Sequence, residues 1–196
     1  MRAALVSLGF IWLGMAAAGP TTTASGRPAQ DSADRGIYEA MLIVLLRGDL
    51  PSVVVVQAVP LPLPAPSAAD WQWLGAGSDA LRIAVERSRP LAVEPFVVEA
   101  FPPGTQLVPR EDIEEQFRSA PRGRPEDIWT AFSARYKAQS FQGFSRPVKS
   151  ENGLDAFLWY SHSCGSLCGE SGYAWLHRAS SDVAWAVSKR LPKVVS

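Results

Sequence analysis

The chain has 196 residues, of which 47% are hydrophobic and 19% charged, so it can bury one packed core and disorder of the whole chain is excluded. Its 19 basic and 19 acidic side chains cancel, so no cationic surplus attracts it to a phosphate backbone. We therefore expect no nucleic-acid partner.

The first residues predict an export signal. A basic residue at position 2 precedes the uncharged apolar run 3–18, which ends in three alanines suited to signal peptidase. We predict a signal peptide over 1–18, cleaved between Ala18 and Gly19. The run is shorter than the ~20 residues of a membrane helix. We expect an exported protein, periplasmic or extracellular, with no membrane span in the mature chain.

The next segments predict a linker followed by one domain. Residues 19–34 are small and polar with Pro and Gly, which is typical of a flexible linker, and we place a single domain over 35–196. Apolar spacing predicts a helix over 35–49 that ends at Gly48, and the β-branched run 52–59 predicts a buried strand. Prolines make the following segment a loop, after which Ser67 can cap a short helix.

The remaining patterns predict more helices and then a run of strands. Helices are expected over 79–88, 110–118 and 125–136, and an extended segment over 95–101. The strands are expected over 141–150, 154–162, 172–179 and 183–191. We predict an α+β fold with N-terminal helices packed on a C-terminal antiparallel β-meander.

Both cysteines lie in the segment 161-SHSCGSLCGESG-172, between two predicted strands. In an exported protein, cysteines this close in the chain favour a disulfide. Gly165 and Gly169 give the small ring access to positive φ angles. A redox pair is disfavoured, because thiol oxidoreductases space their cysteines by two residues and continue into a helix. We predict a disulfide between Cys164 and Cys168.

A metal site is the alternative interpretation of the same segment. His162, Cys164, Cys168 and His177 would supply two imidazoles and two thiolates, a ligand set that suits zinc or copper. A single histidine on a strand is more often an ordinary side chain, so we expect neither a metal nor another cofactor.

Catalytic motifs are weak. The string 143-GFSRP-147 lacks the final glycine of a nucleophile elbow. The acidic residues 111, 112, 114 and 115 stand at a helix start, where they complement the helix dipole. These observations favour a protein that is not an enzyme.

The C-terminal portion resembles a family of uncharacterised small secreted bacterial proteins. The residues that carry the resemblance are 129-WTAF-132, 144-FS-145, 164-CGSLCG-169, Trp185 and 195-VS-196. The resemblance implies secretion and an α+β domain, and it carries no assigned activity.

These patterns lead to one expectation of function with two alternatives. We expect an exported, non-catalytic binding or interaction protein of the envelope or the extracellular space, monomeric or weakly oligomeric, with an unknown partner. The first alternative is a copper- or zinc-handling protein that uses the two thiols. The second is a small hydrolase whose site the sequence does not show.

Overall fold

The computed structural model describes residues 27–48, 50–75, 79–88, 94–119, 125–165 and 168–195. The predicted signal peptide, its cleavage site at Ala18 and Gly19, and residues 19–26 of the predicted linker lie outside these ranges. The described helices are α1 (Arg27–Leu45), α2 (Ala68–Leu74), α3 (Asp79–Arg87), α4 (Arg110–Ser119) and α5 (Pro125–Tyr136), with a 3₁₀ turn at Val98–Ala100. The described strands are β1 (Val54–Gln57), β2 (Thr105–Val108), β3 (Phe141–Phe144), β4 (Val148–Lys149), β5 (Asp155–Ser163), β6 (Gly169–His177) and β7 (Ala186–Val195).

The strands form one mixed sheet in the order β2-β1-β3-β5-β6-β7, with β4 paired to β5. β1 runs parallel to β2 and β3, whereas β3, β5, β6 and β7 pair antiparallel. The α+β class is therefore confirmed, but an antiparallel meander does not describe the sheet. The sheet is mixed because β1 pairs in parallel: its three valines are all buried, as is typical of a parallel strand covered on both faces.

Helices cover both faces of the sheet. Successive side chains of β5 point to opposite faces of the sheet. Ala156, Leu158 and Tyr160 pack in the same buried cluster as α1, and Phe157 packs on the other face with residues of α2 and α3. α4 and α5 cover that same second face at β1, where Val55 is buried. None of the described helices is long and apolar enough to cross a bilayer.

Helix α1 begins at Arg27, inside the segment 19–34 that we predicted as linker. A proline at position 28 is tolerated because the first backbone N–H groups of a helix have no partner within the helix. Further along, Asp34 is buried and forms an ion pair with Lys149 of β4. The linker prediction is thus wrong for residues 27–34, and the domain begins before residue 35.

The segment 95–101, predicted as extended, contains the 3₁₀ turn instead. Phe96 and Phe101 pack against the ring of Tyr38 under α1, which favours a turn over a strand. The predicted cap of α2 is confirmed: the Ser67 hydroxyl accepts from the Asp70 N–H, and the Asp70 carboxylate accepts from the Ser67 N–H at 2.8 Å.

Candidate functional site

A cleft of about 1330 Å³ opens at one end of the sheet. We call this the cysteine end: there β1 and β3 begin, β5 ends, and β6 begins at the cysteine loop. Helix α1 stops at Leu45, and helix α5 supplies the opposite wall. The cleft therefore lies where the cover of the sheet ends.

Two cations mark the helix ends at this cleft. At the end of α1, the Gly48 N–H donates to the Ile43 carbonyl at 2.8 Å, and Arg47 takes a φ of +63°. At the end of α5, the Lys137 N–H donates to the Ser133 carbonyl at 2.9 Å, with φ at +58°. Among the residues that the structure describes, Arg47 and Lys137 are the only non-glycine residues with positive φ, and both line the cleft.

The charges in the cleft do not fully cancel. Its lining contains the cations Arg47, Lys137 and Arg190 and the carboxylates Glu126 and Glu170, which leaves one net positive charge. Arg190 Nη1 and Glu170 Oε1 form an ion pair at 2.5 Å. Within the described ranges, no carboxylate comes within ion-pairing distance of Arg47 or Lys137. Among the residues that the structure describes, these two charges therefore line the cleft without an ion-pair partner.

The rest of the wall is largely apolar. It is formed by α1, the segment before β1, and α5, and its apolar residues include Val44, Leu45, Leu46, Val53 and Trp129. On α5, Phe132 is fully buried in the core. Trp129 is only half-buried: its ring stacks on Phe141 with centroids 6.1 Å apart, and it also lines the cleft.

Cys164 and Cys168 lie on the rim of the cleft at disulfide-bonding distance, with their Cα atoms 5.0 Å apart. The Cys164 N–H donates to the Cys168 carbonyl at 3.0 Å and closes the turn. Gly165 takes a φ of +74°, as we expected of a tight ring. Gly169 instead is the first residue of β6 and has no positive φ.

His162 lies next to this pair, near the end of β5. One donor atom from each of His162, Cys164 and Cys168 lies within 4.8 Å of the other two. The histidine Nδ1 is 3.2 Å from Nε2 of Gln142 on the neighbouring strand. Burial lowers the pKa of His162, and the nearby Arg190 and Arg47 lower it further against the opposite effect of Glu170. These effects favour the neutral form of the imidazole.

A buried oxygen lies beside the cleft residue His162 without a hydrogen-bond partner among the described residues. Gln142 is 1% exposed, and its Oε1 makes no hydrogen bond to any described residue. The hydroxyl of Tyr160 is also fully buried, and it lies close to Glu170 and Arg190. Burial, with a contribution from Glu170, raises the pKa of Tyr160 to about 12. A buried oxygen without a hydrogen bond, such as Oε1 of Gln142, is rare in folded proteins.

His177 does not join this cluster. It pairs with Asp155 across the β5–β6 ladder, whereas His162 pairs with Glu170. Seven residues along β6 separate the two positions, a distance of about 23 Å at the usual rise of a strand. The four-residue ligand set that we considered is thus wrong in His177, because the register places the two histidines at opposite ends of one hairpin.

The other candidates have structural roles. The acidic residues of α4 are exposed, and two of them pair with arginines of the same helix: Glu114 with Arg110 and Glu115 with Arg118, each at 2.6 Å. Ser145 of the string 143–147 is buried, and its hydroxyl accepts from the Trp159 N–H at 2.9 Å. Neither place resembles a catalytic centre.

No protein-family model, curated protein or solved structure matches the chain. The site must therefore be interpreted from its own chemistry. Sequence reasoning found His162 and the cysteines but missed Arg47 and Lys137. The signal that could have found Lys137 is a helix that ends with no glycine near its C-terminus, where glycine normally supplies the positive φ.

Proposed function

We propose that this chain is an exported, non-catalytic binding protein that holds a small amphipathic organic anion in the cleft at the cysteine end. The observation that carries the proposal is a pair of cations, Arg47 and Lys137, at the ends of α1 and α5 on either side of the cleft, neither of which has an ion-pair partner among the described residues. The apolar leader 1–18, the paired cysteines and the resemblance to small secreted proteins support export.

The backbone at the two cations supports a role in binding. A left-handed residue other than glycine costs about 1–2 kcal/mol, and such costs are concentrated at functional sites. A cation anywhere in the last turn complements the helix dipole, so the dipole does not require a left-handed conformation at these two residues. At Arg47 and Lys137 the left-handed residue that ends the helix is also a cation that lines the cleft.

The chemistry of the lining selects the class of ligand. The charges of Arg47 and Lys137 favour an anionic group, and the apolar wall from Val44 to Leu46 and at Trp129 favours a hydrocarbon portion. The His162 ring has Gln142 as its hydrogen-bond partner among the described residues, so no hydroxyl nucleophile is bonded to it. This arrangement favours binding over hydrolysis.

Pairs of ligands that differ only in charge test the proposal. Straight-chain carboxylates from acetate to dodecanoate, each with its primary amide, are titrated into the protein by calorimetry. We expect each carboxylate that binds to have an affinity at least about tenfold higher than that of its amide, which corresponds to about 1.4 kcal/mol. We also expect the affinity to rise with chain length. If no carboxylate binds, or if amides bind as well as carboxylates, the proposal is wrong.

Substitutions locate the site. Arg47→Gln and Lys137→Gln should each weaken carboxylate binding at least about tenfold. Arg135→Gln is the matched control: it removes a cation from the same helix α5, but Arg135 bonds to Gln116 of α4 at 3.3 Å and does not line the cleft. An equal loss in the control would place the binding elsewhere.

Export is tested separately. The full chain is expressed in a bacterium, the periplasmic and extracellular fractions are collected, and the N-terminus of the protein is sequenced. We expect it to begin at Gly19. A protein retained in the cytoplasm with Met1 in place would contradict export and leave the binding test unaffected.

A further inference from the structure

The cluster of His162, Cys164 and Cys168 supports a second role that does not depend on the organic anion. We propose that Cys164 and Cys168, once reduced, bind Zn²⁺ together with His162, and that the oxidised pair does not. The site is then a redox-dependent metal site of three protein ligands on the rim of the cleft. Its residues differ from the two cations on which the anion proposal rests.

The distances suit one tetrahedral ion. Zn²⁺ binds thiolate sulfur at about 2.3 Å and imidazole nitrogen at about 2.0–2.1 Å, so ligand atoms around one ion lie about 3.5–3.8 Å apart. In the structure the three donor atoms lie within 4.8 Å of one another. Breaking the sulfur–sulfur bond lets the sulfurs move apart to this spacing, and Gly165 gives the loop the freedom to follow.

Gln142 can hold the histidine in the form that binds a metal. Its side-chain amide contacts Nδ1 of His162, which leaves Nε2 for an ion. The amide nitrogen occupies the contact position, while the buried Oε1 has no partner. Turning the amide over would let Oε1 accept from an Nδ1–H, as the second ligand shell of metal-bound histidines usually does. This turn gives the unpartnered oxygen a function.

The donor types select the metal. Two thiolates and one imidazole suit Zn²⁺ and not the hard ions Ca²⁺ or Mg²⁺, which need oxygen ligands. The two thiolates balance the charge of the ion. Among the described residues no fourth donor joins the cluster, because Glu170, opposite His162 in the ladder, is engaged by Arg190. The fourth position is therefore left to water or a ligand on the cleft side, as in zinc sites that act on small molecules.

The chemistry balances with a dithiol as reductant. Two successive thiol–disulfide exchanges transfer two electrons and two protons, which yields two cysteine thiols and the oxidised cyclic dithiol. Binding of one Zn²⁺ then replaces the two thiol protons, which are released to the solvent. Exchange with a disulfide as the oxidant reverses this: the Cys164–Cys168 bond forms, the two sulfurs of the oxidant accept two electrons and take up two protons to leave as thiols, and the ion loses both sulfur ligands and is released.

The first measurement is a titration. The protein is reduced with a dithiol, the reductant is removed under anaerobic conditions, and Zn²⁺ is added in competition with a chromophoric chelator. We expect one Zn²⁺ per reduced chain, and binding at least about 100-fold weaker to the oxidised protein. Equal binding by the two forms, or none by the reduced form, overturns the proposal.

The two histidines provide a matched pair of variants. His162→Gln should weaken Zn²⁺ binding at least about tenfold, and Cys164→Ser should abolish it. His177→Gln is the control and should bind as the unaltered chain does, because His177 lies at the other end of the hairpin. An equal effect of both histidine variants would overturn the ligand assignment.

A second readout needs no altered protein. The chain has two histidines, so its imidazole signals in a proton NMR spectrum are few enough to follow directly. On addition of Zn²⁺ to the reduced chain, we expect one imidazole to shift strongly, and it should be the one whose signal is missing in His162→Gln. A shift of both rings, or of the His177 ring alone, contradicts the proposed site.

Discussion

The two ends of the β5–β6 hairpin carry the same pair of residue types in different surroundings. At the cysteine end, His162 lies opposite Glu170, and at the far end His177 lies opposite Asp155. Each pair joins an imidazole to a carboxylic side chain across one antiparallel ladder. Comparing them shows what separates a structural pair from a candidate site.

At the far end the polar groups have partners. Asp155 Oδ1 accepts from the Trp175 indole N–H at 3.0 Å and lies 2.9 Å from His177 Nδ1. The Arg178 guanidinium donates to the Gly153 carbonyl at 2.9 Å and lies over the ring of Trp185. The polar groups of this end bond to one another and to the neighbouring backbone, and they stabilise a turn.

At the cysteine end the same kinds of groups remain incomplete. Glu170 pairs with Arg190 rather than with His162. The buried Oε1 of Gln142 lacks a hydrogen bond to any described residue. The difference arises because α1 ends before it covers this part of the sheet, so that polar side chains border a cleft instead of a packed turn. Unsatisfied polar groups distinguish the two ends better than residue type does.

Removing the central acceptor of the far end should have the largest effect. Asp155→Ala takes away the partner of Trp175 and His177, and we expect the free energy of unfolding to fall by about 2–3 kcal/mol. At the cysteine end, Glu170→Gln keeps the size of the side chain beside a partly exposed arginine and should cost less than about 1 kcal/mol. Urea unfolding measures both, and equal losses would remove the distinction between the two ends.

Opening the cysteine ring should have the next largest effect. For a ring of five residues, the loop-entropy relation gives about 2 kcal/mol, so Cys164→Ser should lower the stability of the oxidised protein by about that amount. After reduction, the variant and the unaltered chain should unfold at nearly the same urea concentration. A variant as stable as the oxidised parent would mean that the pair contributes nothing to folding.

Relieving the backbone at one cation should give a smaller effect of opposite sign. Lys137→Gly fits the positive φ without the steric cost of a side chain, and after the entropy cost of glycine we expect a gain of about 0.5–1 kcal/mol in stability. The same change should weaken carboxylate binding, because the charge is lost. Thermal unfolding and calorimetry test the two parts, and a destabilised variant would show that the Lys137 side chain is structural.

The pH dependence should give the smallest effect. Burial lowers the pKa of His162 in the folded protein below its ordinary value of 6.5. Between the two pKa values the unfolded chain binds more protons than the folded one, so the free energy of unfolding falls as the pH drops through about 6.5. His162→Gln should reduce this loss. Urea unfolding at about pH 7.5 and about pH 5.5 measures it, and an unchanged difference contradicts the assignment.

Local signals predicted much of the fold, and long-range pairing did not follow from them. The capping box at Ser67, the helices α4 and α5 and the last strands were predicted, because caps and periodicity act over a few residues. β2 was missed, since a four-residue strand acquires its role only by pairing in parallel with β1. The linker was drawn too long because Asp34 becomes buried only through a partner far along the chain, Lys149.

The candidate site divides in the same way. The cysteine pair and His162 are close in sequence, so their proximity was predictable. His177 entered the alternative metal ligand set because the register of a ladder is not visible in composition, and the register places it at the far end of the hairpin. Arg47 and Lys137 were missed because a positive φ depends on how a helix ends, and their common cleft depends on helices far apart in the chain.

The order of the strands has a consequence for how the chain assembles. Met41 of α1 belongs to the same buried cluster as Leu176, and Val187 packs against that cluster. β1 completes its pairing only with β3, where Val55 meets Phe141. Such long-range contacts make folding slow and postpone it until the late strands exist. We therefore expect a chain that is still being synthesised to lack the completed sheet, because the strands that close it have not yet been made.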